Sequence, residues 1–197
     1  MDVLDPSVIG GYLPLAIGSL LAAWGMKKII TKAEKLPNDG YYLPKSLQFE
    51  AKKQISIKDK VVVDMLSSHK LLCWVVTDPD MKDNPIVYSS PGFCRYTGYS
   101  KIEIEGRNCR FLQGKDTKKE DVDAIRLAIR EKREESVCLL NYRKDGTKFY
   151  NQFFVMPMFD PRDSQRVIYY LGVQVEVPSK EDGQEPSNPG WVYSLCK

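Results

Sequence analysis

The chain has 197 residues, of which 43% are hydrophobic and 28% charged, with 29 Lys and Arg against 26 Asp and Glu. That is the composition of a folded protein about one domain plus a fragment in size, and it excludes wholesale disorder and collagen-like structure. A net charge of +3 is no electrostatic footprint for nucleic acid, and a lone histidine leaves no second one for a zinc site, so neither partner is expected.

From Pro6 to Met26 no side chain is charged. As a helix this run is about 30 Å long, the thickness of one bilayer core. Asp2 and Asp5 precede it, unlike the basic start of a signal peptide, and Lys27 and Lys28 close it. Residues 1–30 therefore read as a single N-terminal transmembrane helix. The basic flank keeps residues 31–197 on the cytosolic, stromal or matrix side. A hydrophobic arm lying on another protein is the competing reading, because Gly10, Gly11 and Pro14 weaken the first turns. Small-residue pairs, Gly18 with Ala22 and Ser19 with Ala23, would let another helix approach closely.

Residues 31–69 form a linker with a turn at Pro37-Asn38-Asp39-Gly40, then a flanking helix from Ile57 to Ser68 that turns Val61, Val62, Met65 and Leu66 inward. Residues 70–178 carry the folded domain. Leu71–Thr77 and Pro85–Ser89 are strand-like; Pro91–Thr97, Lys101–Ile104 and Cys109–Leu112 are short helical pieces. Lys118–Lys132 is a longer helix with Val122, Ile125 and Ile129 inward. Three strands follow, Ser136–Arg143, Lys148–Met158 and Arg166–Val177, with Asp145-Gly146 as a hairpin signal between the first two and Asp160–Gln165 as an extended loop before the last. The class is α+β with one antiparallel sheet. The tail, residues 179–197, is Pro-rich with few apolar residues until Trp191, Val192, Tyr193 and Leu195, of which Trp191, Tyr193 and Leu195 would suit a partner's pocket. Five scattered cysteines with no C-x-x-C pair read as reduced thiols.

The string Gly106-Arg107-Asn108-Cys109-Arg110-Phe111-Leu112-Gln113-Gly114 resembles the signature of LOV domains, the flavin-binding branch of the PAS superfamily. WVVTDP, NPIVYSS, GFCRYTGYS, DAIRLAI, LLNYRKDG, FYNQF and GVQ extend the resemblance in order over about residues 71–177. It implies a PAS/LOV fold with a five-stranded antiparallel sheet. The implied cofactor is flavin mononucleotide (FMN), favoured over the larger dinucleotide because the stretch from Gly114 to Asp123 is short. Cys109 matches the cysteine that, under blue light, forms a reversible bond to the flavin C4a carbon. Arg110 and Arg126 match the phosphate arginines, whose planar guanidinium forks suit phosphate. Gln113 matches a residue at the ribityl–phosphate end. Asn141 and Asn151 match the pair at the polar edge of the ring, where a carboxamide can both donate and accept; Asn108 and Gln174 complete the polar set. Gln174 matches the residue that answers a change at the flavin by rotating its carboxamide. Val75, Thr77, Leu112, Val122, Ile125, Leu139 and Phe153 would cover the apolar faces.

The resemblance implies a blue-light sensor that is not an enzyme and, with the apolar run at Pro6–Met26 as its membrane anchor, it would signal through a protein partner held by the span or by the tail. No effector segment is recognisable, and Pro178, Pro186 and Pro189 oppose a regular helix after the sheet. The alternative is an accessory subunit of a larger membrane complex, photosynthetic in one version, with the LOV-like domain as a docking or regulatory module.

Overall fold

The computed structural model describes residues 44–68 and 70–183. The span read at Pro6–Met26 and the aromatic tail lie outside the described residues. Among those described, no helix is long and apolar enough to cross a membrane.

Helix α1 (Ile57–Ser67) starts at Ser56, whose hydroxyl oxygen accepts the Asp59 N–H at 3.0 Å. Its buried stripe is Asp59, Val62, Val63, Leu66 and Ser67, at the three-and-four spacing of one helix face. Val61, expected inward, is 45% exposed. Three consecutive valines have no periodicity of their own, and the stripe is set by its neighbours one position further on.

Strands β1 (Cys73–Thr77) and β2 (Ile86–Ser89) pair antiparallel, and short helices α2 (Pro91–Thr97) and α3 (Lys101–Ile104) follow. Ser90 joins β1 to α2. Its buried oxygen accepts the N–H groups of Trp74 and Phe93, each at 3.0 Å, and its hydroxyl donates to the Leu72 carbonyl at 2.8 Å. Pro91 occupies the first helical turn, where a missing N–H costs nothing, and Gly98 closes the helix at φ 79°. A Cβ on Gly92 would lie 2.1 Å from the Leu72 carbonyl oxygen, so only glycine lets α2 approach the strand this closely.

A 3-10 turn (Cys109–Leu112) leads to α4 (Lys119–Glu131), which carries Glu120 and Asp121 in its first turn. Strands β3 (Glu135–Tyr142), β4 (Lys148–Asp160) and β5 (Asp163–Val177) complete a five-stranded antiparallel sheet in the order β2-β1-β5-β4-β3. The first hairpin turns at Gly146, φ 85°. The loop expected over Asp160–Gln165 is instead a two-residue turn between strands that reach Asp160 and resume at Asp163. An Asp160 side-chain oxygen accepts the Arg162 N–H at 2.9 Å and closes the turn locally. A last turn, α5 (Lys180–Gly183), is tied to α4 by Lys180 on Asp121 at 2.7 Å.

On the sheet, residues 44–56 run across the β1–β5 side. Phe49 packs edge-on against Tyr88 and Tyr169, and Lys53 pairs with Asp78 and Asp80.

Candidate functional site

Side chains alternate along a strand, so one face of the sheet collects every second residue. Register brings Val75 opposite Gly172 and Thr77 opposite Tyr170 between β1 and β5, Phe153 opposite Gln174 between β4 and β5, and Leu139 opposite Asn151 between β3 and β4. These residues, with Asn141 and Val155, form one wall of a cavity of about 140 Å³. The opposite wall is Phe93 from α2, the segment Asn108, Cys109, Arg110, Leu112 and Gln113, and Val122, Ile125, Arg126 and Ile129 from α4. Every residue singled out in the sequence as a candidate for the site lines this one cavity.

The cavity is graded. Asn141 and Asn151 at one wall are 3% exposed and Gln174 is 5%, whereas the Arg110 and Arg126 side chains are 55% and 64% exposed. Asn151 Nδ2 donates to Asn141 Oδ1 at 2.9 Å, and Asn141 Nδ2 donates to the Leu140 carbonyl at 3.1 Å. Asn151 Oδ1 is buried with no partner, as are Thr77 Oγ1 and Asn84 Oδ1, and all three residues line the cavity. A buried acceptor left without a donor costs about 1–3 kcal/mol, so three around one cavity mark a surface shaped for a polar ligand.

Asn108 holds the segment that presents the cysteine. Its Oδ1 accepts the Arg110 N–H at 3.1 Å, and its Nδ2 donates to the carbonyls of Asp83 at 2.7 Å and Asn84 at 3.3 Å. All of its polar capacity in these contacts goes to backbone. Asp83 and Asn84 receive it in left-handed conformations, φ 71° and 46°. Burial pushes the Cys109 thiol up to about 12, against an ordinary 9.0, so it carries its proton at neutral pH. Arg110 pairs with Asp83, and its hydrogen bond holds the Asp83 carboxyl below its usual value; Arg126 pairs with Asp123 at 2.8 Å. Both guanidiniums stand at the solvent end, where an anionic group could exchange with an exposed carboxylate at little cost.

Asn84, Phe93, Val155, Tyr170 and Gly172 also line the cavity and were not singled out. Strand alternation extended from Phe153 and Gln174 points to the last three; Asn84 comes from a loop that carries no such period. A Cβ on Gly172 would sit 2.8 Å from the Phe153 ring and 3.2 Å from Val75, so glycine keeps the middle of this wall open. Among the described residues no cluster of His, Cys, Asp and Glu could hold a metal ion, and Cys73, Cys94, Cys109 and Cys138 form no disulfide.

Residues 72–177 match the family model described as PAS domain. A blue-light photoreceptor of Listeria monocytogenes is 47% identical over 110 residues, 56% of this chain and 42% of its own length. Phototropin-2 of rice (Oryza sativa subsp. japonica) is 48% identical over 103 residues, 52% of this chain and 11% of its own length. The chain thus spans less than half of either curated relative. Among solved structures, the light-state LOV domain of the blue-light photoreceptor aureochrome1 is 50% identical at a TM-score of 0.53, covering 56% of this chain and 84% of that one. A light-oxygen-voltage domain studied with a flavin analogue is 41% identical at a TM-score of 0.59, covering 66% and 93%.

Proposed function

The chain belongs to the PAS domain family, with relatives that are blue-light receptors of the LOV type, and from that premise we propose that it is a membrane-anchored blue-light sensor that binds FMN. The observation that carries this reading is the position of Cys109. Its protonated thiol lines a cavity whose far wall holds three carboxamides and an unpartnered acceptor, and whose mouth holds two guanidiniums.

The residues fit an oxidised flavin. The ring edge carries one N–H between two carbonyls; Asn151 Oδ1 is the free acceptor for the N–H, and the amide groups of the Asn pair are the donors for the carbonyls. Arg110 and Arg126 would hold the phosphate at the solvent end, and Gln113 would meet the ribityl chain. Val75, Leu112, Val122, Ile125, Leu139 and Phe153 exclude water from the ring faces. When bound, the flavin supplies blue-light absorption and, once excited, a carbon at C4a open to reversible bonding by a thiol. Cys109 would supply the thiol for that bond, with the S–H proton passing to the flavin nitrogen beside C4a; burial keeps the sulfur protonated beforehand, so no general base is needed to hold a thiolate. Gln174 would answer the change of donor and acceptor at the flavin by turning its carboxamide, and β5 would carry that change out of the cavity.

The domain itself is a sensor rather than an enzyme. Its output passes to a protein partner through the N-terminal span or the tail, with the domain on the cytosolic, stromal or matrix side. Two measurements test this. The full chain should take up FMN, bleach under blue light and recover in darkness, and Cys109→Ala should bind flavin without bleaching. A wild-type chain that binds no flavin, or a variant that bleaches normally, ends the proposal. Separately, alkaline carbonate should leave the chain in the membrane pellet; release would remove the anchor and leave the sensor standing.

A further inference from the structure

Cys73 lies outside the cavity lining, yet it touches the residue given the switching role. It opens β1 directly opposite Gln174 on β5. Its Sγ–H donates to Gln174 Oε1 at 3.2 Å, between two side chains that are 8% and 5% exposed. Cys73 belongs to one buried core cluster with Val75, Ile86, Phe93, Ile104 and Leu112. Burial pushes the thiol well above its ordinary value, so it keeps its proton and stays a donor.

A thiol and a carboxamide are not symmetric partners. The S–H donates, but sulfur accepts weakly, whereas the carboxamide has a full acceptor at one end and a full donor at the other. With Oε1 turned to the thiol, Nε2 is the end offered on the other side. Turning the carboxamide over would set Nε2 against a sulfur that can hardly accept from it, and would deprive the S–H of its acceptor.

We propose that Cys73 is a positioning residue for Gln174: its thiol holds the carboxamide with Oε1 turned away from the flavin and Nε2 presented to it, and so penalises the turned-over state. This rests on the sensor reading above and adds a second thiol to it, one that never bonds to the flavin. A hydroxyl at this position would donate and accept equally well and would penalise neither state. The thiol therefore acts as a one-way latch that favours the dark arrangement and hastens return to it.

The direct test needs no flavin. In the infrared spectrum of the flavin-free chain, the S–H stretch that disappears in Cys73→Ala should lie at the low frequency of a hydrogen-bonded thiol, and it should move to the free-thiol frequency in Gln174→Leu. A band already at the free frequency, or one indifferent to Gln174→Leu, overturns the proposal. In the FMN-loaded chain, Cys73→Ala should slow dark recovery by about 2- to 10-fold, the ratio matching one ordinary hydrogen bond. Cys73→Ser, close to isosteric and safe for folding, bonds either end of the carboxamide and should slow recovery as Cys73→Ala does. Recovery at the wild-type rate in both variants overturns the latch. A chain that binds no flavin refutes the sensor, and the infrared result alone then decides the contact.

Discussion

The asparagine pair makes stability and binding pull in opposite directions, which a double-mutant cycle can measure. Asn141 and Asn151 are buried, and one bond of 2.9 Å joins them. In the flavin-free chain, Asn151→Leu leaves Asn141 Oδ1 without its donor, and Asn141→Leu leaves Asn151 Nδ2 without its acceptor. Each single substitution should cost about 1–3 kcal/mol, the desolvation penalty of the stranded group. The double substitution strands neither, and it also removes Asn151 Oδ1, which already lacks a partner. It should therefore cost less than the sum of the singles by about 1–2 kcal/mol. Urea unfolding of the four flavin-free proteins, followed by circular dichroism, gives the four stabilities. FMN titration of the same proteins should show the double variant binding at least about 10-fold more weakly than wild type, because its ring edge has lost an acceptor and its donors. Single costs that add to within about 0.5 kcal/mol, or a double variant that binds FMN normally, would refute the assignment of this wall to the polar edge of the ligand.

Three further outcomes are set by the geometry. Ser90→Ala removes the acceptor shared by the Trp74 and Phe93 N–H groups and should lower stability by about 2–3 kcal/mol in urea; a loss below about 0.5 kcal/mol counts against the bridge. Gly172→Val places a branched side chain where a single Cβ already meets Phe153 and Val75, and should abolish FMN binding while costing about 1–3 kcal/mol of stability; retained binding would show that the wall is not where the ring lies. Cys109 has a folded value of about 12, above its ordinary 9.0, so its contribution to stability is complete below about pH 9 and is lost as pH rises through 12. Iodoacetamide at pH 8 should accordingly label it slowly in the fold and quickly in urea, and equal rates would contradict the burial.

The parts of this protein that were legible in the sequence are those where local pattern and tertiary demand agree. Ser90-Pro91 and Gly98 mark both ends of α2, and Asp145-Gly146 marks the first hairpin, because capping and left-handed backbone restrict the residue type wherever they occur. The helix that gathers Val122, Ile125 and Ile129 is equally plain from its period. Val61–Val62–Val63 was ambiguous for the opposite reason: three like residues fit several helical faces, and only packing chooses among them. The turn at Pro161–Arg162 was obscured by its polarity, which is common to long loops and tight ones; the Asp160 side chain decides it.

The site divides along the same line. Residues with a motif around them could be placed, and all of them meet at one cavity. Residues that act by where they stand could not: the GVQ motif includes Gly172 without saying that its missing side chain keeps the wall open, and nothing in the letters distinguishes Cys73 from Cys138. Both of those cysteines sit on strands and are buried. Only pairing register places Cys73 against Gln174. A motif records which groups a flavin would need, whereas the contact of Cys73 with Gln174 is written across two strands 101 residues apart in sequence. That is why the proposed adduct cysteine can be read from one short string while its proposed positioning partner has to be read from the fold.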